Sequence, residues 1–436
     1  FGSSSTVFGD HASIAKPMNG APHTLVKLFL LSVCCSPRLL LGALIDQALS
    51  QDELLKAEQL VAHVSEEGDA KYVNQIRNFG TGKEHEGGHQ VTFLHSHADR
   101  LFPTLVGRLW EIAAAADRRM RWGISAGLNY SGRPGLRCLE SIKYEATAGS
   151  SSHPGQGAVS NASLGWHFDG HTLITVAVML SSSEQDYVGG AVQLRRRDPV
   201  SGQAQNYSFT PNRGDAVAWR GWEYHRVSPV LQGLRHVLVA EFWTGPDVEG
   251  ADNRLDDFEE GYLAAVALDP TSAYLHKQLS WISFVREEWP DALRSVTAAV
   301  SADASDSESL VLMGRIHQRR GFLDTALEAY NRALSLNPND PLALMAVAGN
   351  AHERGDADEM ERCYVRAVSA GGWEALEPLG DVRSEQGRHE EAARHYEDSL
   401  SHNPADEDVQ IKLQQQLDII EAGRTWWGGL KQALMR

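Results

Sequence analysis

Two histidines and one aspartate in this sequence have the types and the spacing of a metal site. His167 and Asp169 are separated by one residue, so in an extended segment both side chains point to the same side and can share one ion. His225 follows His167 after 58 residues, just past a candidate strand over 215–219. Two imidazoles and one carboxylate form the facial triad that holds Fe(II) and leaves positions open for a chelating co-substrate and oxygen. A catalytic zinc site would need fewer open positions.

Arg235 lies ten residues after His225, on a candidate strand that ends at Trp243. A planar guanidinium can clamp a carboxylate through two parallel hydrogen bonds. 2-Oxoglutarate carries a second carboxylate, remote from the end that chelates iron. Arg235 is therefore the candidate residue that selects this co-substrate.

Other histidines are alternatives to this assignment. His171 could replace one ligand, but it lies two residues beyond Asp169, so we expect it near the metal site or at the surface. The group His85, His89, His95 and His97 has no carboxylate at ligand spacing and is interpreted as loop residues. A structural hydrogen-bonded cluster is the alternative for the triad itself, and the position of Arg235 favours a catalytic site.

A β-rich region must position these residues. The strand candidates, separated by clusters of Gly, Ser, Asp and Pro, are 138–144, 173–180, 191–194, 215–219 and 234–243. This spacing is typical of an all-β sandwich or barrel. Two amphipathic helices precede it: one begins at the capping-box pair Ser50 and Glu53, and the other has apolar residues at helical spacing over 105–120.

Beyond Pro246 the pattern changes to helical repeats. Tyr262, Val296, Tyr330 and Tyr364 are 34 residues apart, and Tyr396 follows after 32. The copy from Leu310 to Pro338 matches the tetratricopeptide pattern. An irregular helical bundle is the alternative, but a period kept over four repeats favours stacked hairpins. We therefore predict an all-α solenoid, closed by a capping helix over 406–422.

The β-rich region resembles the prolyl and lysyl hydroxylase branch of the 2-oxoglutarate dioxygenases, over roughly residues 47–246. The matching stretches are Ile142-Lys143-Tyr144, Gly165-Trp166-His167-Phe168-Asp169-Gly170, 173–180, Asp186-Tyr187-Val188-Gly189-Gly190, Gly214-Asp215-Ala216 and 225–243, with Pro229, Gly233 and Arg235 in the family's places. The resemblance implies a double-stranded β-helix in which His167, Asp169 and His225 bind iron. It also implies that Arg235 pairs with the distal carboxylate of 2-oxoglutarate and that Tyr144 lines the co-substrate pocket. Plain core packing is the alternative role for Tyr144.

The sequence departs from the family pattern in two places. A Gly- and Ser-rich insert over 145–166 separates Tyr144 from the His-x-Asp pair, which leaves the geometry of the substrate loop open. Glu241 stands where many relatives have a tryptophan, with Trp243 two residues further on. Because Glu241 shares a face with Arg235 in a regular strand, either it approaches the pocket or the strand is shifted.

These observations predict a multidomain α+β protein. The expected segments are a leader at 1–46, a dioxygenase domain at 47–248, tetratricopeptide repeats at 255–405 and a C-terminal capping helix and tail at 406–436. The family resemblance implies Fe(II), 2-oxoglutarate and L-ascorbate as cofactors. The expected reaction is hydroxylation of a peptidyl proline, coupled to conversion of 2-oxoglutarate into succinate and carbon dioxide. The alternatives are a lysyl hydroxylase and an interaction scaffold with an inactive dioxygenase domain.

The expected partners follow from the repeats and from the charge. Solenoid grooves suit extended polypeptides, so the array is expected to hold either the substrate or a protein partner. Because repeats stack only on their neighbours, the array beyond about residue 255 should be removable without disrupting the barrel. A formal net charge of −17 opposes a nucleic-acid partner, which would need clustered Lys and Arg.

Cellular location is indicated only by short signals. The apolar run 28–35, broken by Pro37, is either a signal or anchor segment or a buried helix, and a membrane contact is expected only if it is an anchor. Three N-x-Ser sequons, at Asn129, Asn161 and Asn206, favour the endoplasmic reticulum and secretory pathway, with the cytoplasm as the alternative. The four cysteines form neither a disulfide framework nor a zinc pattern.

Overall fold

The computed structural model describes residues 41–67, 89–127, 134–146, 162–197, 203–247 and 255–434. The predicted leader segment over 28–35 and most of the 145–166 insert lie outside these residues. By its contacts the chain divides into two compact units. The first unit comprises 1–122, 138–167 and 174–241, and the second comprises 123–137, 168–173 and 242–436. The short loop 168–173 therefore groups with the C-terminal helices.

The described part of the chain contains eleven strands in two antiparallel sheets. The strands are β1 (Gly42–Ile45), β2 (His89–Phe93), β3 (Gly135–Glu145), β4 (Leu164–His167), β5 (Ile174–Met179), β6 (Tyr187–Gly189), β7 (Val192–Arg197), β8 (Ala204–Phe209), β9 (Ala216–Arg220), β10 (Tyr224–Val227) and β11 (Val230–Trp243). The larger sheet has the order β1-β9-β5-β11-β3-β2, with β6 paired to β11. The smaller sheet has the order β4-β10-β7-β8. Each of the five predicted strands is present, while the double-stranded β-helix topology stays a prediction.

The two sheets share one hydrophobic core. Ala177 and Val217 of the larger sheet lie in the same buried cluster as Leu194 of the smaller sheet. All six residues of β5 are buried, because this strand lies inside the larger sheet and a helix packs against it. The β-rich region is therefore built of two packed sheets. A functional site can be formed by side chains on the face of the small sheet that points towards the large one.

The helices of the β-rich region are α1 (Gln51–Glu67), α2 (His95–Leu101), α3 (Leu105–Met120) and the short α4 (Ile124–Gly127). The predicted capping box is confirmed: the Ser50 amide donates to the Glu53 carboxylate at 2.8 Å, and the Glu53 amide donates to Ser50 Oγ at 3.3 Å. The predicted second helix is confirmed as α3, whose apolar face is buried against β1 and β5.

The C-terminal part is helical throughout its described residues. The helices are α5 (Leu255–Leu268), α6 (Ala273–Val285), α7 (Trp289–Ala302), α8 (Ser307–Arg319), α9 (Leu323–Leu336), α10 (Pro341–Arg354), α11 (Ala357–Ser369), α12 (Leu376–Glu385), α13 (His389–His402) and α14 (Glu407–Leu434). They pack as the hairpins α6–α7, α8–α9, α10–α11 and α12–α13, with α14 against α13. The predicted solenoid is confirmed, and α14 extends well beyond the predicted 406–422.

Glycines allow the two helices of a repeat to approach closely. A Cβ added to Gly314 of α8 would overlap the ring of Tyr330 on α9, and one added to Gly380 of α12 would overlap the ring of Tyr396 on α13. Both rings are fully buried. Among the described helices, none combines the length and the apolar character that crossing a membrane requires.

Candidate active site

β4 and β10 place two histidines directly opposite each other. His225 pairs with His167 in the register of these antiparallel strands, and the two ring centroids are 4.1 Å apart. Side chains opposite each other on one face of an antiparallel pair lie close together. This pairing brings His225 next to the His-x-Asp segment, as expected for a residue 58 positions later that lies just past a strand.

Asp169 follows β4 and joins the two histidines. One ligand atom from each of His167, Asp169 and His225 lies within 4.8 Å of the other two. It is the one such group of three that the described residues contain, and His89 and His97 are not in it. The prediction that these histidines lie in loops is wrong for His89, which begins β2, and for His95 and His97, which lie in α2. Two imidazole nitrogens and one carboxylate oxygen are the donor set of a non-haem Fe(II) site. The residues present therefore fit this metal.

Backbone carbonyls orient both imidazoles. Nδ1 of His167 lies 2.7 Å from the carbonyl oxygen of Gly165, and Nδ1 of His225 lies 2.9 Å from that of Glu223. A carbonyl oxygen can only accept, so each Nδ1 carries the proton and donates it. Nε2 of each ring is thereby left unprotonated, in the form that binds a metal.

A buried ion pair supports the carbonyl that orients His225. Nε of Arg220 donates to Oε1 of Glu223 at 2.7 Å, and a second guanidinium nitrogen contacts the same oxygen. Both residues are 7% exposed. The pair spans the turn between β9 and β10, which delivers His225 to the cluster. Sequence reasoning missed it, because an Arg and a Glu three residues apart are common on protein surfaces.

Arg235 on β11 is buried with unused hydrogen-bond donors. It is 1% exposed, and its Nε and Nη1 have no hydrogen-bond partner among the described residues. Burial lowers the pKa of Arg235, and the neighbouring Tyr144 and Tyr187 oppose this effect. A buried charge with unmet donors is unfavourable unless a partner satisfies it. The unused donors of this guanidinium therefore fit the carboxylate of a bound ligand.

Tyr187 and Gly190 complete the surroundings of Arg235. The Tyr187 hydroxyl accepts a hydrogen bond from the guanidinium, and burial raises the pKa of this tyrosine. Gly190 has a φ of +63°, and a Cβ there would lie 2.8 Å from Cδ of Arg235. Glycine thus leaves the space that the arginine occupies. No role was predicted for these two residues, although both lie in the stretch 186–190, which resembles the hydroxylase family.

Tyr144 lies in the core and beside Arg235. It is fully buried in the hydrophobic core of the two sheets. Its ring centroid also lies 5.0 Å from the guanidinium carbon of Arg235, within the range of a cation–π contact. Core packing and a place beside Arg235 are therefore compatible.

Glu241 and His171 lie near the predicted site residues in sequence. Glu241 is buried, and along β11 it shares the alternating face of Arg235 with the core residues Val237 and Val239. His171 accepts a hydrogen bond from Nε of Arg137 at 3.0 Å and stacks on Phe258. Burial and the charge of Arg137 lower the pKa of His171 to about 3. His171 is not in the three-residue cluster.

Comparison with known families agrees with this geometry. Residues 156–244 match the 2OG-Fe(II) oxygenase superfamily, and residues 307–340 and 375–410 each match a tetratricopeptide repeat model. The chain therefore carries a 2OG-Fe(II) oxygenase domain followed by tetratricopeptide repeats. This superfamily implies Fe(II) and 2-oxoglutarate, and the repeats suggest interaction with another protein. No curated protein matches the sequence significantly.

Several solved structures are similar to part of this chain. MamA is 20% identical with a TM-score of 0.30, over 34% of this chain and 89% of its own. A thermophilic tetratricopeptide protein of Thermus thermophilus is 18% identical with a TM-score of 0.34, over 38% and 91%. YrrB, described as having an unusual peptide-binding site, is 19% identical with a TM-score of 0.29, over 37% and 84%. No function is inferred from these similarities.

Proposed function

We propose that this protein is an Fe(II)- and 2-oxoglutarate-dependent dioxygenase that hydroxylates proline in a polypeptide. The observation that carries the proposal is a His-Asp-His cluster in the same domain as a buried arginine with unused donors. His167, Asp169 and His225 would hold the metal, and Arg235 would bind the distal carboxylate of 2-oxoglutarate. When bound, Fe(II) and 2-oxoglutarate supply the oxidation of a C–H bond by oxygen, with release of succinate and carbon dioxide.

The chain's own residues orient these groups and keep water out. The carbonyls of Gly165 and Glu223 hold each ligating imidazole in one tautomer, so the metal meets preformed donors. His225 is 3% exposed, and the ring of Trp219 lies 4.9 Å from it. Tyr187 and Tyr144 contact the guanidinium of Arg235 and fix its direction. The burial of Arg235 strengthens its charge-assisted contact to a co-substrate.

A groove in the helical array supports a polypeptide substrate. It has a volume of about 750 Å³ and is lined by residues of α6, α8, α9 and α10. Trp281 and Leu342 line it and are 45% and 55% exposed. Lys277 and Arg315 also line it. Apolar side chains interspersed with charged ones suit an extended peptide, whose side chains alternate and whose backbone needs polar partners.

Mass spectrometry of peptide libraries tests the choice of substrate. Peptides containing proline, lysine or both are incubated with the protein, Fe(II), 2-oxoglutarate and ascorbate, and a gain of one oxygen is assigned to a residue. We expect the oxygen on proline, and a stimulation by ascorbate. Oxygen on lysine would show that the substrate residue is lysine and not proline. The stretch 186–190, which resembles lysyl hydroxylases, supports this alternative. His225→Ala is the matched control that should give no gain.

A further inference from the structure

α5 occupies the place of the second helix of a repeat, and the described residues before it, up to 247, form no first helix. Tyr262 holds the same place in the 34-residue period as Tyr330. Tyr330 and Tyr396 each pack on a glycine sixteen residues earlier, in the first helix of their own hairpin. Sixteen residues before Tyr262 is Pro246, which follows the end of β11 and is not helical. The side of α5 that faces a partner helix in other repeats must therefore be covered differently.

The loop 168–173, which belongs to the same compact unit, covers it. The ring of His171 stacks on Phe258 of α5 at 4.0 Å and meets Tyr262 edge-on at 6.3 Å. A Cβ added to Gly261 would lie 3.1 Å from the carbonyl oxygen of His171, so the backbone of α5 approaches the loop closely. The loop therefore packs on α5 through both its backbone and the ring of His171.

α6 holds the beginning of the same loop. The ring of Phe168 lies almost parallel to that of Tyr274, with centroids 3.7 Å apart and an interplanar angle of 12°. The hydroxyl of Tyr274 donates a hydrogen bond to that of Tyr262 on α5. Phe168 is the residue between His167 and Asp169. A stacked aromatic contact therefore acts directly on the segment that carries two of the three proposed ligands.

The repeat itself does not require an aromatic side chain at position 274. The corresponding positions 34 and 68 residues later are Glu308 and Leu342. The Glu308 side chain is 65% exposed, and Leu342 is also exposed. Tyr274 thus departs from the pattern of its repeat where it meets the loop. Its packing is explained by Phe168 and not by the solenoid.

We propose that Tyr274 is a positioning residue of the metal site: by stacking on Phe168 and bonding to Tyr262, it holds the loop that carries Asp169. Tyr274 acts through Phe168, which precedes Asp169 in the chain. The inference rests on the proposed metal site. It also means that truncation near residue 248 removes a contact of the loop that carries Asp169, contrary to the expectation that the whole array is dispensable.

Binding of Mn(II), a redox-inert substitute for Fe(II), tests the positioning role of Tyr274 without any catalytic turnover. The affinity is measured by electron paramagnetic resonance of the free ion, on the full-length protein. We expect Tyr274→Leu to weaken Mn(II) binding by about 10- to 100-fold, the range typical when a group that orients a ligand is removed. Tyr274→Phe keeps the ring and loses only the hydroxyl, so its loss should be smaller.

Two controls separate positioning from general stability. Trp373→Leu removes another aromatic stack of the array, the one with His402, and should leave Mn(II) affinity unchanged. The melting temperature of each metal-free variant is measured in parallel.

A Tyr274→Leu protein that melts at a lower temperature but binds Mn(II) as the wild type does would overturn the inference. If Tyr274→Leu does not fold, Phe168→Leu removes the same stack from the loop, and wild-type affinity in that variant would overturn it equally. A wild-type protein that binds no Mn(II) would instead refute the proposed metal site.

Discussion

His167 and His225 face each other across β4 and β10 with their ring centroids 4.1 Å apart, and each ring donates its Nδ1 proton to a carbonyl two residues before it. The local backbone thus determines the tautomer of both rings before any metal arrives. For His225 that backbone is a turn closed by the buried pair of Arg220 and Glu223. The stability of this turn and the metal affinity should therefore be linked.

Breaking the ion pair should destabilise the folded protein. Arg220→Gln leaves the Glu223 carboxylate buried without its cation, and removing one partner of a buried pair costs about 3–5 kcal/mol. The double variant Arg220→Gln/Glu223→Gln should regain part of this free energy of unfolding, measured by urea denaturation of the metal-free protein. Equal stability of the single and double variants would show that the pair does not hold the turn.

Removing the guanidinium of Arg235 should mainly weaken the binding of 2-oxoglutarate. Arg235→Ala deletes a charge-assisted contact of about 1.5–3 kcal/mol, which corresponds to roughly 10- to 150-fold in apparent affinity. Mn(II) affinity should change little, because Arg235 is not in the ligand cluster. The measurement is the 2-oxoglutarate dependence of succinate formation. An unchanged dependence would contradict the role of Arg235.

Gly190→Ala should impair the same step through Arg235. A methyl group there would lie 2.8 Å from Cδ of Arg235, and the φ of +63° is unfavourable for alanine. Gly355→Ala is the matched control, since Gly355 has a φ of +74° but nothing lies within 4 Å of the added Cβ. Both variants should lose about 1–2 kcal/mol from the left-handed backbone. Only Gly190→Ala should raise the 2-oxoglutarate requirement, and equal requirements in the two variants would contradict this steric account.

Folding stability should fall as the pH decreases from about 6.5 towards 4. Burial, aided by the positive charge of Lys143, lowers the pKa of His236 to about 4. In this range the unfolded chain binds a proton at His236 that the folded chain does not, so the free energy of unfolding decreases with falling pH. The upper bound for this histidine is about 3 kcal/mol. His236→Gln should therefore lose less stability than the wild type between pH 7 and pH 4.5 in urea denaturation; equal losses would exclude His236 as the cause.

The grouping of His167, Asp169 and His225 could be predicted, and Arg235 could be singled out, because residue type and spacing express their chemistry. The solenoid could be predicted because its period repeats over four copies. β4 and β10 were missed, since each has four residues and includes histidine, glycine or arginine rather than an apolar alternation. β8 was missed for a similar reason, because most of its side chains are exposed.

The contact between Phe168 and Tyr274 could not be predicted from local pattern. The two residues are more than one hundred positions apart, and each fits an ordinary role in its own segment. The sequence does not distinguish Tyr274 from other helical residues. The structure does, because its ring lies almost parallel to that of Phe168. The unused donors of Arg235 likewise depend on what the fold buries around it. Spacing in the sequence was enough to find His167, Asp169 and His225. The residues that pack around them could be found only from the fold.

Succinate formation from 2-oxoglutarate is the measurement that tests the central claim most directly. The purified full-length protein is incubated with 2-oxoglutarate and oxygen, with and without Fe(II), beside His225→Ala. We expect succinate to form only when Fe(II) is added, and its formation to be lost in His225→Ala. Full iron-dependent succinate formation by His225→Ala would contradict the ligand assignment, and no succinate from the wild type, even with proline and lysine peptides present, would contradict the proposal that this protein is a dioxygenase.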